Sequence, residues 1–261
     1  MSSVSYPIAD TATMLRRNLR RTLRYPVGPA STVGVPLVFL LLFVFVLGDT
    51  LGAGLPGASG GRDEYLDYVT PGILVLAVAG AAQAVAIAVA MDMTEGIIAR
   101  FRTMAIARVS VLTGHVIGSV IQTVASMAVV LAVALLCGFG PTANALEWLA
   151  VAGLLLLISF AITWLAVALG LVTKSVESAS NLPMPLLLLP FLGSGFVPTE
   201  SMPAGMQGFA EHQPFTPMME TLRGLLMGTP IGDSGVIAVA WCAVIGVGSY
   251  VWSKRLYNRE R

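Results

Sequence analysis

Leu15-Arg16-Arg17-Asn18-Leu19-Arg20-Arg21-Thr22-Leu23-Arg24, followed almost at once by the uncharged run 27–48, decides how this chain is organised. If 8–25 is helical, each residue turns about 100° around the axis. With Leu15 at zero, Ile8, Ala12, Leu15, Leu19, Thr22 and Leu23 fall within roughly −20° to +80°. Arg16, Arg17, Arg20, Arg21 and Arg24 occupy roughly 100° to 240°. Such a helix lies on a membrane surface, with its apolar face at the acyl boundary and its basic face towards anionic headgroups. A solvated basic tail is the plainer alternative, but it gives no reason for so clean a separation of the two classes.

Composition agrees with a membrane setting. Of 261 residues 56% are hydrophobic and only 11% charged, and the mean hydropathy is +0.82, which excludes a soluble globular domain. The net charge of +1 points to no nucleic-acid partner. Cys137 and Cys242 sit far apart in apolar runs and read as small buried hydrophobes rather than a disulfide or metal framework. The first apolar run follows a polar leader and precedes further runs, so it does not read as a cleaved signal peptide. Arginine outnumbers lysine 13 to 2, a coding bias expected of a high-GC bacterial genome.

A hydrocarbon core about 30 Å thick needs about 20 apolar residues per helix. Runs at 27–48, 70–91, 111–139, 147–172, 181–197 and 234–253 satisfy or approach this and predict an all-α membrane protein with six transmembrane helices. The predicted layout is an amphipathic leader helix at 1–26, a transmembrane domain at 27–253 and a tail at 254–261. If both termini are cytoplasmic, 13 Lys and Arg lie inside and only Arg62 and Arg223 outside, a strong positive-inside bias. A multi-pass protein of a bacterial cell membrane is the expected localisation.

The spans hold almost nothing ionisable. Asp49, Glu147 and Asp233 lie at their edges, so the carboxylate or histidine relay usual in ion-coupled pumps is missing. Gln83 and Gln122 read as hydrogen-bond partners between helices, and Gly80, Ala84 and Ala88 as a small-residue packing face. The fifth run carries Pro183, Pro185 and Pro190, then Gly193 and Gly195. Proline removes backbone donors, so this span should be short or interrupted. The next segment, 198–233, is too apolar for a plain loop. It reads as two short amphipathic helices, 202–211 and 216–227, divided by Gln213-Pro214: a re-entrant hairpin before the last span, or else an ordinary external helix pair. Pro198, Glu200, Glu220 and Arg223 would then form an external gate. A lone arginine among apolar neighbours wants a carboxylate or carbonyl partner, and Glu220 lies three residues away on the same helical face.

No glycine-rich phosphate loop, Gly-x-Ser-x-Gly or His-Glu-x-x-His occurs, and His115 and His212 are the only histidines. The chain is therefore not expected to be an enzyme or to hold a metal or cofactor, and any work on a substrate must be powered from elsewhere.

The segment Asp92-Met93-Thr94-Glu95-Gly96-Ile97-Ile98-Ala99-Arg100-Phe101-Arg102-Thr103-Met104-Ala105-Ile106-Ala107-Arg108, with Val111, Leu112 and Gly114 beyond it, resembles the coupling segment of type-2 ATP-binding-cassette export permeases. The likeness is greatest to their daunorubicin-resistance-like branch. Gly195-Phe196-Val197-Pro198, Met202-Pro203, Gln213-Pro214 and Arg223-Gly224-Leu225-Leu226-Met227-Gly228 are similar to that family's outer signature. Two departures stand out: Ala105 where relatives often have proline, and Gln213 where they often have asparagine.

The resemblance implies a permease that pairs as a homodimer, or as a heterodimer with a related permease. Each copy would bind a cytoplasmic ATPase subunit that holds the ATP and magnesium. Drugs, polyketides, lipids or polysaccharides would be moved outward, with multidrug efflux and antibiotic resistance as the corresponding role. A lipid or glycan exporter is the nearest alternative, and a receptor or sensor subunit the more distant one. Within the cytoplasmic segment 92–110, Asp92, Glu95, Gly96, Ile97, Arg100, Phe101, Arg102, Met104 and Arg108 would form the ATPase-coupling interface. Ile97, Phe101 and Met104, spaced four and three apart, would enter a groove of the ATPase, with the arginines around them.

Overall fold

The computed structural model describes residues 27–55, 60–94, 108–173 and 175–258, and every regular element among them is a helix. The chain enters through α1 (Val27–Leu41), which runs into a π-helical turn (Leu42–Val46) and a short α2 (Gly48–Gly52). Three long helices follow: α3 (Arg62–Thr94), α4 (Arg108–Leu136) and α5 (Ala145–Val172). A broken stretch comes next, consisting of α6 (Val176–Asn181), α7 (Met184–Leu188) and a 3-10 turn (Leu189–Leu192). A second 3-10 turn (Thr199–Ser201), α8 (Ala204–His212), α9 (Phe215–Met227) and the long α10 (Ser234–Asn258) complete the fold.

Four of these helices, α3, α4, α5 and α10, are long and apolar enough to cross a membrane. Large hydrophobic side chains lie exposed along α1 and its π-helical turn (Val38, Phe45, Val46), α4 (Ile121, Val129, Leu136) and α10 (Val236, Val244, Val247). Lipid is the solvent such a surface requires. The molecule is a multi-pass membrane protein.

The core is built around α3. From Val69 to Ala79 it is buried on all sides, packed by α1, α5, α9 and the broken stretch. Alanine and glycine make this possible by letting backbones approach. At Gly170 of α5 an added Cβ would lie 2.7 Å from the Ala86 carbonyl oxygen. At about 1.5 Å per residue, the 33 residues of α3 span ~50 Å, well beyond a ~30 Å hydrocarbon core. The helix therefore begins eight residues before the apolar run at 70–91 and carries Arg62–Val69, expected from sequence as loop, as its first two turns.

Prolines leave carbonyls that neighbouring side chains take up. Pro36, inside α1, has no N–H for the Thr32 carbonyl one turn earlier, and Ser126 Oγ of α4 donates to that oxygen at 3.0 Å. The fifth run is interrupted where its prolines predict: Pro183 caps α7, and the helix ends at Gly193 in extended backbone. Gln83 holds this stretch against α3 by donating to the Ser180 carbonyl at 2.7 Å, the inter-helix role expected of it. The small residues Gly80, Ala84 and Ala88, by contrast, fall on the least buried face of α3.

At the start of α5, Asn144 accepts from the Leu146 and Glu147 amides at 2.9 and 3.0 Å, while Glu147 accepts from the Asn144 amide at 2.7 Å. This reciprocal cap fixes where the loop after α4 turns back. That loop is docked at both ends: the Gly140 amide donates to Asp67 of α3, and the Thr142 amide to the Leu226 carbonyl of α9.

Candidate functional site

The residues singled out at one end of the sequence pattern converge at one end of the bundle. Gly193–Phe196, which continues from the broken stretch, is buried and irregular, so its carbonyls need partners. Tyr65 and Tyr68, one turn apart on α3, supply two: Tyr65 Oη donates to the Phe196 carbonyl at 3.0 Å and Tyr68 Oη to the Ser194 carbonyl at 2.9 Å. Arg223 of α9 supplies the third. Its Nη2 donates to the Ser194 carbonyl at 2.6 Å, and its Nε and Nη2 both donate to the Tyr68 carbonyl at 3.2 Å. The guanidinium carbon also lies 3.8 Å from the centroid of the Tyr68 ring, a cation–π geometry.

Arg223 thus finds carbonyl partners, one of the two classes its position predicts. Glu220 is not hydrogen-bonded to it: the carboxylate accepts from Ser234 Oγ of α10 at 2.8 Å. The physical reason is that a fork-shaped donor on α9 fits two main-chain oxygens already fixed by α3 and the 193–196 turn, whereas Glu220 faces the following helix. Burial lowers the proton affinity of the guanidinium, and the neighbouring Tyr68 and Glu220 oppose that effect.

Gln213, between α8 and α9, is buried and makes a small network. Its Nε2 donates to the Leu189 carbonyl at 3.2 Å and to Thr216 Oγ1 at 3.1 Å, and its Oε1 accepts from the Phe215 amide at 3.3 Å. Its side chain bridges the start of α9 to the end of the broken stretch. Gly193 leaves room for this network, since an added Cβ there would displace Gln213 Nε2 and crowd Thr216 Oγ1. On the far side, Phe39 of α1 and Phe43 of the π-helical turn pack on Phe191 and Phe196, the last two stacked at 4.4 Å.

Beside the Arg223 lock lies an open cavity of about 450 Å³. Pro198, Glu200, Glu220 and Arg223, grouped from the sequence, all line it. Sequence reasoning missed its other wall: Glu64 and Asp67 from the first turns of α3, Leu55, Tyr68 and Ser194. The signal was present in the Glu-x-x-Asp spacing before the apolar run, which becomes a single helical face once α3 is extended.

Of the residues assigned to ATPase coupling, Asp92 belongs to the last turns of α3 rather than to the segment between α3 and α4, and it is 1% exposed. Arg108 opens α4. Glu95, Gly96, Ile97, Arg100, Phe101, Arg102 and Met104 lie outside the described residues, as do Arg16, Arg17, Arg20, Arg21 and Arg24 of the leader. Among the described residues no group of His, Cys, Asp and Glu is placed to hold a metal ion.

Comparison with known proteins places this architecture. The chain is 28% identical over 255 residues to the daunorubicin resistance ABC transporter permease protein DrrB1 of Streptomyces coeruleorubidus, covering 97% of this chain and 87% of that one. It is 24% identical over 243 residues to the probable doxorubicin resistance ABC transporter permease protein DrrC of Mycobacterium tuberculosis (strain CDC 1551 / Oshkosh), covering 92% of this chain and 85% of that one. The profile of the ABC-2 type transporter family matches residues 9–227. With most of its length matched and four apolar helices able to cross a membrane, the chain belongs to the ABC-2 type transporter family.

Proposed function

We propose that this chain is the permease subunit of an ATP-driven exporter that moves hydrophobic or amphipathic compounds out of the cell, powered by a separate ATPase. The observation that carries this reading is the construction of the α8–α9 end. A broken, carbonyl-rich segment is clamped there by Tyr65, Tyr68 and Arg223, beside a drug-sized cavity. Irregular backbone inside a membrane bundle is tolerated only against protein or a wet path, so this segment is the natural boundary of a translocation route. The printed roles of the relatives, daunorubicin and doxorubicin resistance, support the substrate class.

Six membrane crossings follow if α1 with its π turn and the broken stretch each count as one. The apolar helix Ala30–Val46 is shorter than the four long ones, and α6, α7 and the 3-10 turn return the chain from the end of α5 to the α8–α9 end. In this reading α8, whose Met206 and Phe209 are about half exposed, dips into the outer leaflet. Both termini face the cytoplasm, where a second copy and the ATPase subunits complete the assembly. The topology is checked by impermeant thiol labelling in a protein lacking Cys137 and Cys242. Gly205→Cys, at an exposed position where a Cβ meets nothing within 4 Å, should label from outside. Labelling only from inside would invert the assignment.

The ATPase is engaged by the segment between α3 and α4, with Phe101 as its aromatic anchor. Truncating such an anchor commonly costs about 2 kcal/mol or more. Phe101→Ala should therefore leave membrane insertion intact, weaken co-purification with the ATPase at least about tenfold and abolish substrate-stimulated hydrolysis. Retention of both the partner and the stimulation would remove this segment from the coupling path.

A further inference from the structure

We infer that the cavity beside Arg223 is a site for the cationic head of an amphipathic substrate, an organic ammonium rather than a metal ion or an anion. The inference rests on the export reading for its role and on three features of the cavity for its chemistry. First, Glu64, Asp67, Glu200 and Glu220 line it against the single guanidinium of Arg223, a formal excess of three negative charges. Asp67, Glu200 and Glu220 form no ion pair among the described residues, and Arg223 directs its N–H groups at the Tyr68 and Ser194 carbonyls. The carboxylates accept instead from neutral donors: Asp67 from the Gly140 amide and Glu220 from Ser234. Their charge is left to act on whatever enters the cavity.

Second, the wall is not uniformly polar. Leu55, Pro198 and Met227 line the same space, so a ligand there must offer apolar surface as well as positive charge. At about 450 Å³ the cavity falls in the range of sites for drug-sized molecules. A bare divalent cation would need carboxylate oxygens converging at about 2.3–2.6 Å, and these acids are not grouped closely enough to hold a metal ion.

Third, Ser194 lines the cavity, is only 3% exposed, and its hydroxyl has no hydrogen-bond partner among the described residues. Native proteins rarely leave a buried hydroxyl unmatched. An ammonium N–H at that wall of the cavity would supply the partner this hydroxyl lacks.

The test uses the purified full-length permease in phosphatidylcholine nanodiscs, without its ATPase, with dansylcadaverine as the probe. N-acetylated dansylcadaverine has the same apolar body and no charge. After subtraction of signal from empty discs, the amine should bind about tenfold or more tightly than its acetylated form. In D67N/E200Q/E220Q the two should bind alike; the amides still accept from Gly140 and Ser234. If that triple variant does not fold, Glu200→Gln alone, at an exposed position, should reduce the preference about threefold. Equal binding of the two probes to the unaltered protein, or an undiminished preference in the variants, overturns the site. So does displacement of the amine by micromolar calcium, which would mark a metal site. A permease that binds the amine selectively yet supports no ATP-driven export refutes the export reading while leaving the site standing. Export without charge preference does the reverse.

Discussion

Gly72→Val should prevent the α8–α9 end of the bundle from closing and lower the thermal midpoint of the solubilised protein by roughly 6–12 °C. Gly72 sits about a third of the way along α3, where the backbone of Gly195 crosses it. A Cβ at Gly72 would stand 2.5 Å from the Gly195 carbonyl oxygen and 2.9 Å from its Cα. Main-chain atoms cannot swing aside as a flexible side chain can. Gly195 is itself wedged on its other side, where an added Cβ would lie 2.7 Å from Met219 Sδ and 3.0 Å from the Pro190 carbonyl. Overpacking a dense core costs about 1–3 kcal/mol, and a backbone-to-backbone collision belongs at the upper end, about 3 kcal/mol. In a Cys137→Ser background, the buried Cys242 provides the readout, since a thiol-reactive dye reaches it on unfolding. Gly153→Val is the matched control: it too sits in a membrane helix, but its added Cβ meets nothing within 4 Å. Its effect should stay within about 0.5 kcal/mol. Equal midpoints for the two variants would mean that α3 and the 193–196 turn are not in contact.

The sequence was most legible where a local rule needs no tertiary partner. Proline spacing predicted the break before Gly193, and Gln213-Pro214 divided α8 from α9, whose observed limits lie within two residues of those expected. Apolar runs located α4, α5 and α10 for the same reason. The Asn144–Glu147 cap is equally local, both halves of the reciprocal bond lying three residues apart, but from sequence Glu147 reads only as a residue at the edge of a span.

What was not legible depended on choices made between distant segments. The acidic pair Asp63-Glu64 and the Glu-x-x-Asp spacing suit a helix start, but they do not decide helix over loop at Arg62–Val69 until α9 and the 193–196 turn pack against it. Once they do, Tyr65 and Tyr68 become donors to carbonyls well over a hundred residues away, and Asp67 becomes a cavity wall. The partner of Arg223 was ambiguous for a related reason. Helical spacing offered Glu220, but local spacing cannot report a main-chain oxygen brought in from another segment. The small-residue repeat Gly80, Ala84 and Ala88 illustrates the converse. The tight helix contact within this chain uses Gly170 and Ala86, which the repeat does not include.

Arg223→Ala should leave the protein inserted in the membrane but reduce ATP-driven export at least about tenfold. The side chain ties α9 to both α3 and the 193–196 turn, through the Tyr68 and Ser194 carbonyls and the Tyr68 ring. Its removal strips the Tyr68 carbonyl of this charged donor and leaves the Ser194 carbonyl with Tyr68 Oη. Losing charge-assisted hydrogen bonds to buried acceptors costs about 1.5–3 kcal/mol, and the cation–π contact adds up to about 1–2 kcal/mol. That is enough to hold the α8–α9 end ajar without unfolding a bundle whose core lies along α3 and α5. Arg223→Lys should recover part of the loss, because an ammonium reaches one carbonyl but cannot fork between two. A double-mutant cycle of Arg223→Ala with Tyr68→Phe should be non-additive, since both side chains donate to the Ser194 oxygen. Hydrolysis by the assembled ATPase should continue in Arg223→Ala while export fails, the signature of a lost gate rather than a lost subunit. Export at the unaltered rate would make the Arg223 cluster a packing device and move the boundary of the translocation route away from this end of the bundle.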